Sequence, residues 1–514
     1  MAIFQGWSSR DCRRTSQGSC CRLRIVNNFL VAALFVFLSV GSALPAMCQD
    51  DVTTQNAASG PDGAFITGPA SNPLSFLNGP AYRTSGPASS YDLGNFHPVS
   101  TLNRHLPKWI AFGAEERLRF EAYRNGSFKP GNNDAYFLNR FRYEMDIRPA
   151  AWLKIVSEVQ DARPFSQTPP IGPPNENTWD LKLLYAEAGD PERQLISVRV
   201  GRQLINYNHT IIANSEWRNQ GRSYDAVVTN LHYGHFRLGM FAAAPVVTRD
   251  FGVSRHQKGN DLYGLYGSVN QLIPHSVLEP FVLWRTQRNV ALEAVATNAK
   301  GSQREEAYGV RLKGKAAARL DYTAEAITER GSDGGNPIRA WAANAGAAYS
   351  FNTAPWRPRI FAQYDFASGD RNPKDGIHGT FDTMYPTAHD RLGIADLFGW
   401  QNIRSSREGI TVEPHNRWTV SVQYLNFSLA SATDGVYNSS GGLLFRDSGG
   451  KSGTHIGEEF DGYTWYELNR HVNVGGGIAY ILPGSFLARI ASPSNYIYPY
   501  FAINFKDNGK DRTE

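Results

Sequence analysis

The chain has 514 residues, of which 41% are hydrophobic and 12% aromatic, and it contains 48 Gly but only 5 Met. This composition favours a large antiparallel β structure over a helical one. All four cysteines lie at or before Cys48, which excludes a disulfide framework and thiolate metal sites from the rest of the chain, and the net charge is only +5.

The first 48 residues form a predicted signal peptide. Five Arg precede an apolar run from Phe29 to Met47, and Ala46 and Cys48 place small residues where a signal peptidase reads them. A retained membrane anchor and a lipoprotein signal are the alternatives. Cleavage near Cys48 removes five Arg and one Asp, which leaves 47 basic and 46 acidic residues. Charge therefore gives no support for a nucleic-acid partner.

Residues 49–105 are predicted to form a flexible arm rich in Gly, Pro and Ser. The tripeptide Gly-Pro-Ala recurs at Gly68, Gly79 and Gly86, and no periodicity is sustained. Such a composition is typical of a mobile periplasmic segment. A plug segment that inserts into a pore is the other possibility.

Residues 106–506 show the alternation of apolar and charged side chains that is typical of β-strands. In the stretch from Asn139 to Arg148, Phe141 and Tyr143 alternate with Arg140 and Arg142. Eighteen strands are predicted, and a polar tail follows at 507–514. The strands are predicted to begin near residues 111, 136, 152, 180, 195, 224, 236, 261, 277, 307, 319, 340, 358, 416, 437, 459, 472 and 496.

The predicted connections alternate between short and long. Tight turns follow even strands, for example at Gly234-His235 and Lys313–Lys315, whereas Gln203–Ser223, Gln287–Glu306 and Ser368–His415 follow odd strands. Short turns on one rim and long loops on the other predict an all-β fold, an 18-stranded antiparallel transmembrane β-barrel of the bacterial outer membrane. Outer-membrane lipid and the barrel-assembly machinery are then its partners, and a monomer is expected.

Alternation also predicts which charged residues face the lumen, because a charge facing lipid costs roughly 2–4 kcal/mol at mid-membrane. Eighteen strands leave room for an aqueous lumen. Two interpretations stay open: the cations pair with carboxylates and stabilise the barrel, or some stay unpaired and guide anions through. The predicted lumen-lining residues include Arg117, Arg119, Arg140, Arg142, Lys154, Arg199, Arg237, Arg285, Arg311, Lys313, Arg359 and Asp365.

Signals for catalysis or cofactors are weak. No Gly-x-Ser-x-Gly motif occurs, and no His has a paired base at a recognisable spacing. The run from Asp370 to Gly376 is similar to a calcium loop, but Lys374 occupies a position that needs an oxygen ligand. We therefore predict neither catalytic residues, nor a metal, nor a cofactor.

Two blocks of sequence resemble one known family. The stretch VGRQLINYNHTIIANSEWRNQGRSYDAV, from Val200 to Val227, resembles a motif of bacterial alginate-export-domain outer-membrane proteins. The stretch Phe366–Ile403, with ASGD, TFD, YPTAH and DLFGWQN, is similar to a second block of that family. The resemblance spans about residues 106–505. The corresponding motif residues are Arg202, Trp217, Arg222 and Asp225 in the first block, and Asp370, Asp382, His389 and Trp400 in the second.

The resemblance implies an electropositive barrel that passes an anionic uronate polysaccharide outward. It also implies that residues 367–415 form a structured loop at the outer end of strand thirteen. This loop, with Asp370, Arg371, Asp382, His389 and Trp400, folds into the mouth as a gate or covers the rim as a cap. The predicted function is a passive channel for an anionic saccharide or small organic acids. A structural or adhesive barrel with a closed lumen and a barrel-embedded hydrolase are the alternatives.

Overall fold

The computed structural model describes residues 98–507, except 172–173, 209, 250–251, 292–299 and 388. The predicted signal peptide and most of the predicted arm lie outside this range. Among the described residues, no helix has the length and apolar character needed to cross a membrane.

Eighteen antiparallel strands form one closed barrel, in which the last strand pairs with the first through contacts such as Phe120 with Phe501. The strands are Ile110–Tyr123 (β1), Asp134–Ala150 (β2), Leu153–Phe165 (β3), Asn177–Ala188 (β4), Ile196–Gln203 (β5), Tyr224–Tyr233 (β6), Phe236–Val247 (β7), Asn260–Asn270 (β8), Ser276–Ala291 (β9), Lys300–Ala317 (β10), Leu320–Asp333 (β11), Asn336–Ser350 (β12), Arg359–Ala367 (β13), Ile403–His415 (β14), Trp418–Leu429 (β15), His455–Glu467 (β16), Val472–Pro483 (β17) and Tyr496–Asp507 (β18).

Several smaller elements are additional to the eighteen strands. A helix at Pro98–Arg104 (α1) precedes β1, and a helix at Ser485–Ile490 (α2) lies between β17 and β18. A 3-10 turn occupies Gly126–Phe128, and the two-residue strand Arg255–His256 pairs with the end of β7. A short hairpin joins Gly435–Tyr437 to Leu443–Arg446.

Side chains alternate between the two faces of the wall as the sequence predicts. On β12, Trp341 is 48% exposed on the outer face, whereas its neighbours Ala340 and Ala342 are buried. On β1, Arg117 and Arg119 point inward and are buried, whereas Leu118 between them is exposed. Apolar side chains thus face lipid, and charged side chains line the interior, which avoids the cost of charges in hydrocarbon.

Connection lengths differ between the two rims. The connections at 151–152, 234–235, 318–319 and 416–417 are tight and share one rim, whereas 204–223, 368–402 and 430–454 are long and share the other. The short-turn rim is therefore periplasmic and the long-loop rim extracellular. The tight turn between β11 and β12, at Gly334-Gly335, is an exception on the long-loop rim, and Gly suits it because both residues have positive φ.

One predicted strand is wrong and another was missed, so the count of eighteen agrees by compensation. The strand predicted to begin near residue 437 is the extracellular hairpin, and residues 403–415, predicted as loop, form β14. The lumen face of β14 carries Ser405, Arg407 and Thr411. Arg404 and Glu408 on the outer face of β14 interrupt the alternation of apolar and charged residues by which the other strands are predicted. The long loop consequently covers residues 368–402 rather than 368–415.

Four further boundaries differ from the prediction. Lys313–Lys315 is not a turn, because β10 continues to Ala317. The loop predicted at Gln287–Glu306 is shorter than expected, because β9 extends to Ala291 and β10 begins at Lys300. Residues 98–104 of the predicted arm form α1. Asp507, predicted to begin the polar tail, ends β18, and its carboxylate accepts hydrogen bonds from the backbone of Val99 and Ser100, both at 3.0 Å. This contact fastens α1 to the barrel end, as a carboxylate at a helix N-terminus does.

Candidate functional site

Two long loops fold inward from the extracellular rim and meet inside the barrel. We call residues 204–223 the β5–β6 loop and residues 368–402 the β13–β14 loop. The nitrogen of Tyr385 donates to the carbonyl of Ile211 at 3.0 Å, and the nitrogen of Ala213 donates to the carbonyl of Tyr385 at 2.8 Å. Ile211, Ile212 and Ala213 are fully buried. The loops therefore form a packed assembly inside the wall, and the interpretation of the β13–β14 loop as an external cap is wrong.

The β5–β6 loop lies on a cationic wall formed by β1 and β2. The guanidinium of Arg117 donates to the carbonyls of Glu216 and Arg218, both at 2.9 Å, and Arg119 donates to the carbonyl of Trp217 at 2.5 Å. Arg140 donates to the carbonyl of Glu216 at 3.1 Å. Backbone carbonyls, which carry only partial charge, thus satisfy much of this wall.

Glu216 is the one carboxylate that the β5–β6 loop presents to the cationic wall. Its Oε2 lies 2.6 Å from Nη1 of Arg142 and 3.3 Å from Nη1 of Arg140. Burial disfavours the charged form, but Arg142 and Arg140 outweigh it and lower the pKa of Glu216 to about 2. Glu216 therefore stays ionised in the physiological range and holds the loop tip against the wall.

The first family motif brackets and fastens the β5–β6 loop. Arg202 and Asp225 are directly opposite residues of β5 and β6, and their side chains form a two-pronged ion pair at 2.8 and 3.2 Å at the loop base. Arg222 donates to the carbonyls of Ala213 and Tyr385, at 2.8 and 2.7 Å, and so joins the two loops. These contacts give each motif residue a positioning role that does not require substrate.

Trp217 and His389 stack where the tips of the two loops meet. Their ring centroids are 3.7 Å apart and the planes are within 7° of parallel. The guanidinium of Arg119 lies 4.2 Å from the Trp217 ring, a cation–π distance. Burial, with the charges of Arg119, Arg117 and Arg407, lowers the pKa of His389 well below its ordinary value. His389 is therefore neutral at pH 7.

The β13–β14 loop is held to the opposite part of the wall by buried ion pairs. Arg391 of the loop binds Asp365 of β13, whose side chain is fully buried, and its guanidinium lies 4.0 Å from the Trp400 ring. Asp382 of the loop binds Arg285 of β9. Arg285 and Asp382 attract each other, and despite burial the pKa of Asp382 is lowered.

Further loop contacts reach lumen-facing residues of β14 and β16. Asp390 binds Arg407 at 3.1 Å. The backbone nitrogens of Ile394 and Ala395 donate, both at 3.1 Å, to the carboxylates of Asp461 and Glu459. These contacts join the loop to β9, β13, β14 and β16, and further hydrogen bonds join it to β8, β11 and β12.

Asp396 of the β13–β14 loop has a buried carboxyl oxygen and lies near Arg218 of the β5–β6 loop. Burial raises its pKa to about 6, Arg218 acts in the opposite direction, and Glu121 adds to the rise. When the loop lies in its place inside the barrel, the pKa of Asp396 is therefore raised and the pKa of His389 is lowered. In both cases burial favours the neutral form of the side chain.

The loop-gate residues predicted from sequence fall into two groups. Asp382, His389 and Trp400 contact the wall or the other loop as described above. Asp370 lies at the loop base, where its backbone nitrogen donates to Asp434 at 2.8 Å and its carbonyl accepts from Ser431, and Arg371 beside it is exposed. Asp370 and Arg371 therefore lie at the outer end of the assembly, apart from the loop junction.

Most of the predicted inward cations are paired with carboxylates. Arg117 is the one for which no carboxylate lies within ion-pair distance in the described part of the chain. The other pairs are Arg119–Glu121, Arg140–Glu115, Arg142–Glu158, Lys154–Asp146, Arg199–Glu187, Arg237–Glu192, Arg285–Glu305, Arg311–Glu279, Lys313–Glu279 and Arg359–Asp321.

Two of the inward arginines share one depth in the barrel. Arg117 and Arg140 are directly opposite residues of β1 and β2, and each lies six residues from the extracellular end of its strand. Six residues correspond to roughly 20 Å along a strand. The β5–β6 loop therefore reaches these two residues well inside the wall.

Sequence reasoning missed several residues of this site. Arg391 and Glu216 are loop residues whose partners are far apart in sequence, and Arg407 lies on the strand that was assigned to the loop. The available local signal is a charged residue, Arg391, beside the apolar residues Leu392 and Ile394. Across the described residues, no three His, Cys, Asp or Glu side chains converge as a metal site.

The fold and the lumen define an outer-membrane β-barrel with an inserted loop assembly. A family model described as "Alginate export" matches residues 108–496. The chain therefore belongs to the alginate export family, and it is a protein of the bacterial outer membrane. No curated protein matches it.

Solved structures of outer-membrane Occ/Opd porins have a similar fold. Pseudomonas aeruginosa OpdQ superposes with a TM-score of 0.52 at 11% identity, covering 78% of this chain and 99% of OpdQ. Pseudomonas aeruginosa OccK9 (OpdG) gives a TM-score of 0.53 at 9% identity, and Acinetobacter baumannii OccAB2 gives 0.51 at 11%; each match covers 77% of this chain and 98% of the other. At such identities the likeness concerns the fold alone.

Proposed function

We propose that this protein is a passive outer-membrane channel for anionic solutes, with the β13–β14 loop as its gate. The observation that carries the proposal is the cationic wall of Arg117, Arg119 and Arg140, which the β5–β6 loop covers largely with backbone carbonyls. A solute carboxylate is a stronger partner for a guanidinium than a carbonyl is. Anionic solutes can therefore displace these contacts when the loops separate.

The substrate class follows from the same wall. The planar fork of Arg engages a carboxylate through two hydrogen bonds, and several such residues along β1 and β2 suit a solute that carries repeated carboxylates. Membership of the alginate export family supports an alginate-like uronate saccharide as that solute. Small organic acids carry the same group and are the smaller candidates.

A structural barrel with a closed lumen is the second candidate function. The observation that favours it is the continuous buried apolar cluster that joins Ile211 and Ile212 of one loop, Phe381 and Trp400 of the other, and wall residues such as Phe427. A cluster of this kind stabilises the inserted loops through burial of apolar surface. Under this candidate the loops stay in place and no solute passes.

Conductance in planar bilayers, with the reversal potential measured in a salt gradient, tests the channel. We expect anion selectivity for the wild type and a clear shift towards cations for Arg117→Gln, which removes a lumen cation without leaving a carboxylate unpaired. Arg330→Gln, on the outer face of β11, is the matched control and should keep the wild-type selectivity. An unchanged reversal potential in Arg117→Gln would contradict the role of this wall.

A reversible tether between the loops tests the gate. Ile212 and Tyr385 form a direct parallel β-bridge, and the described chain has no cysteine, so the variant Ile212→Cys/Tyr385→Cys can form one disulfide across the loops. We expect low conductance when it is oxidised and recovery on reduction, and each single Cys variant is the control. Equal conductance in both redox states would exclude loop separation as the gating step.

A further inference from the structure

Three arginines lie on the outer surface of the barrel near its extracellular rim. Arg304, Arg330 and Arg339 are exposed residues of β10, β11 and β12. Each has an inward, buried neighbour in sequence, Glu305, Glu329 and Ala340 respectively. Because side chains alternate along a strand, the three guanidinium groups extend from the lipid-facing side.

The strand register brings these arginines close together. Arg330 and Arg339 are directly opposite each other on β11 and β12. Arg304 is directly opposite Ser332, two residues beyond Arg330 on the same face of β11. Like charges at directly opposite positions destabilise strand pairing unless something neutralises them.

Among the described residues, no carboxylate lies within ion-pair distance of any of the three arginines. Arg330 donates to the hydroxyl of Thr328 at 2.9 Å and to the carbonyl of Glu329 at 2.7 Å. Glu306, opposite Arg330, accepts a hydrogen bond from Tyr308 at 2.6 Å. The cluster therefore has an excess of positive charge and unused donors.

Aromatic residues fix the depth of this cluster in the membrane. Tyr308 of β10 and Trp341 of β12 are 42% and 48% exposed. They lie farther from the extracellular rim, four residues beyond Arg304 and two residues beyond Arg339. Trp341 stacks on Phe366 with ring centroids 4.3 Å apart. Exposed aromatics of a barrel mark the boundary of the hydrocarbon region. Arg330 and Arg339 lie about 7 Å beyond that boundary and Arg304 about 14 Å beyond it, at the level of lipid headgroups.

We propose that Arg304, Arg330 and Arg339 form a binding site for the phosphate groups of a glycolipid in the outer leaflet. Phosphate accepts paired hydrogen bonds from Arg forks, and one phosphate between Arg330 and Arg339 removes the repulsion across the strands. The ligand is membrane lipid rather than free phosphate, since the donors adjoin the exposed apolar surface around Trp341. This site lies outside the lumen and does not depend on the channel function.

Titration of the purified, folded barrel with lipid A that carries two phosphates, read out by native mass spectrometry, tests the proposal. We expect Arg330→Gln/Arg339→Gln to bind about thirtyfold more weakly than the wild type, from the attraction that each surface cation contributes. The matched control is Arg319→Gln, an exposed cation in the periplasmic turn between β10 and β11, which should bind like the wild type.

The wild type provides a second test that needs no variant. Its binding should fall sharply when the same lipid is enzymatically dephosphorylated, and inorganic phosphate should not compete at millimolar concentration. Equal binding of both lipids, equal binding by the double variant, or efficient competition by inorganic phosphate would each overturn the proposal. Heat-modifiable migration in electrophoresis confirms that each variant is folded.

Discussion

Arg391→Met is expected to release the β13–β14 loop and to open the channel. Arg391 is the partner of Asp365, which is fully buried and otherwise accepts from Gln363 at 2.5 Å. Removal of one partner of a buried ion pair leaves an uncompensated charge and costs about 3–5 kcal/mol. Met retains the length of the side chain against Trp400, so the loss is chiefly one of charge. Single-channel open probability and hydrogen exchange of residues 368–402 measure the effect.

A second substitution separates loop release from general damage to the barrel. Asp365→Asn in the Arg391→Met background removes the unpaired charge, and we expect much of the loop seating to return. Arg371→Met changes an exposed arginine of the same loop and is the matched control. Wild-type hydrogen exchange and conductance in Arg391→Met would show that this ion pair does not hold the loop in place.

Two loop residues are expected to give the gate opposite responses to acid. The pKa of seated His389 is well below 6.5, so a released loop takes up a proton that the seated loop excludes, and seating weakens as the pH falls below about 6.5. The pKa of seated Asp396 is about 6, above its ordinary 3.8, so the seated loop takes up its proton first. Seating then strengthens as the pH falls from about 6 towards about 4.

Variants at the two positions isolate these contributions. From pH 7 to pH 5, Asp396→Asn retains the His389 effect without the opposing effect of Asp396, and it should shift the closed–open equilibrium further towards open. His389→Gln retains the Asp396 effect and should shift it about tenfold towards closed. The difference between the pH profiles of the two variants is the decisive quantity. Parallel profiles of open probability would rule out titration of these two residues as a gating signal.

The structure gives the first family motif a specific physical role. Arg202 and Asp225 clamp the base of the β5–β6 loop, Arg222 connects it to the β13–β14 loop, and Trp217 stacks on His389 at its tip. The motif therefore builds the inserted assembly from both sides. Its residues position the loops over the cationic wall, and the wall residues themselves remain the groups that would meet an anionic solute.

The pattern of residues along the chain is enough to predict the barrel. A closed sheet in lipid requires charges inside and apolar residues outside, so alternation on strands such as β2 and β12 fixes both the fold class and the facing of each side chain. Loop-length asymmetry fixed which rim is extracellular. Where alternation is absent, as on β14 with Arg404, Arg407 and Glu408, the same reasoning assigned a strand to a loop.

The contents of the lumen, in contrast, depend on contacts between distant parts of the chain. Arg391 with Asp365, Glu216 with Arg142, and Trp217 with His389 join segments that are distant along the chain, and no local periodicity encodes such pairs. Inward cations are compatible with an open pore or with a filled one, because both arrangements keep charge away from lipid. The folded chain shows loops seated on the arginine wall, since burial of their aromatic and apolar residues and the pairing of their charges are satisfied only inside the barrel.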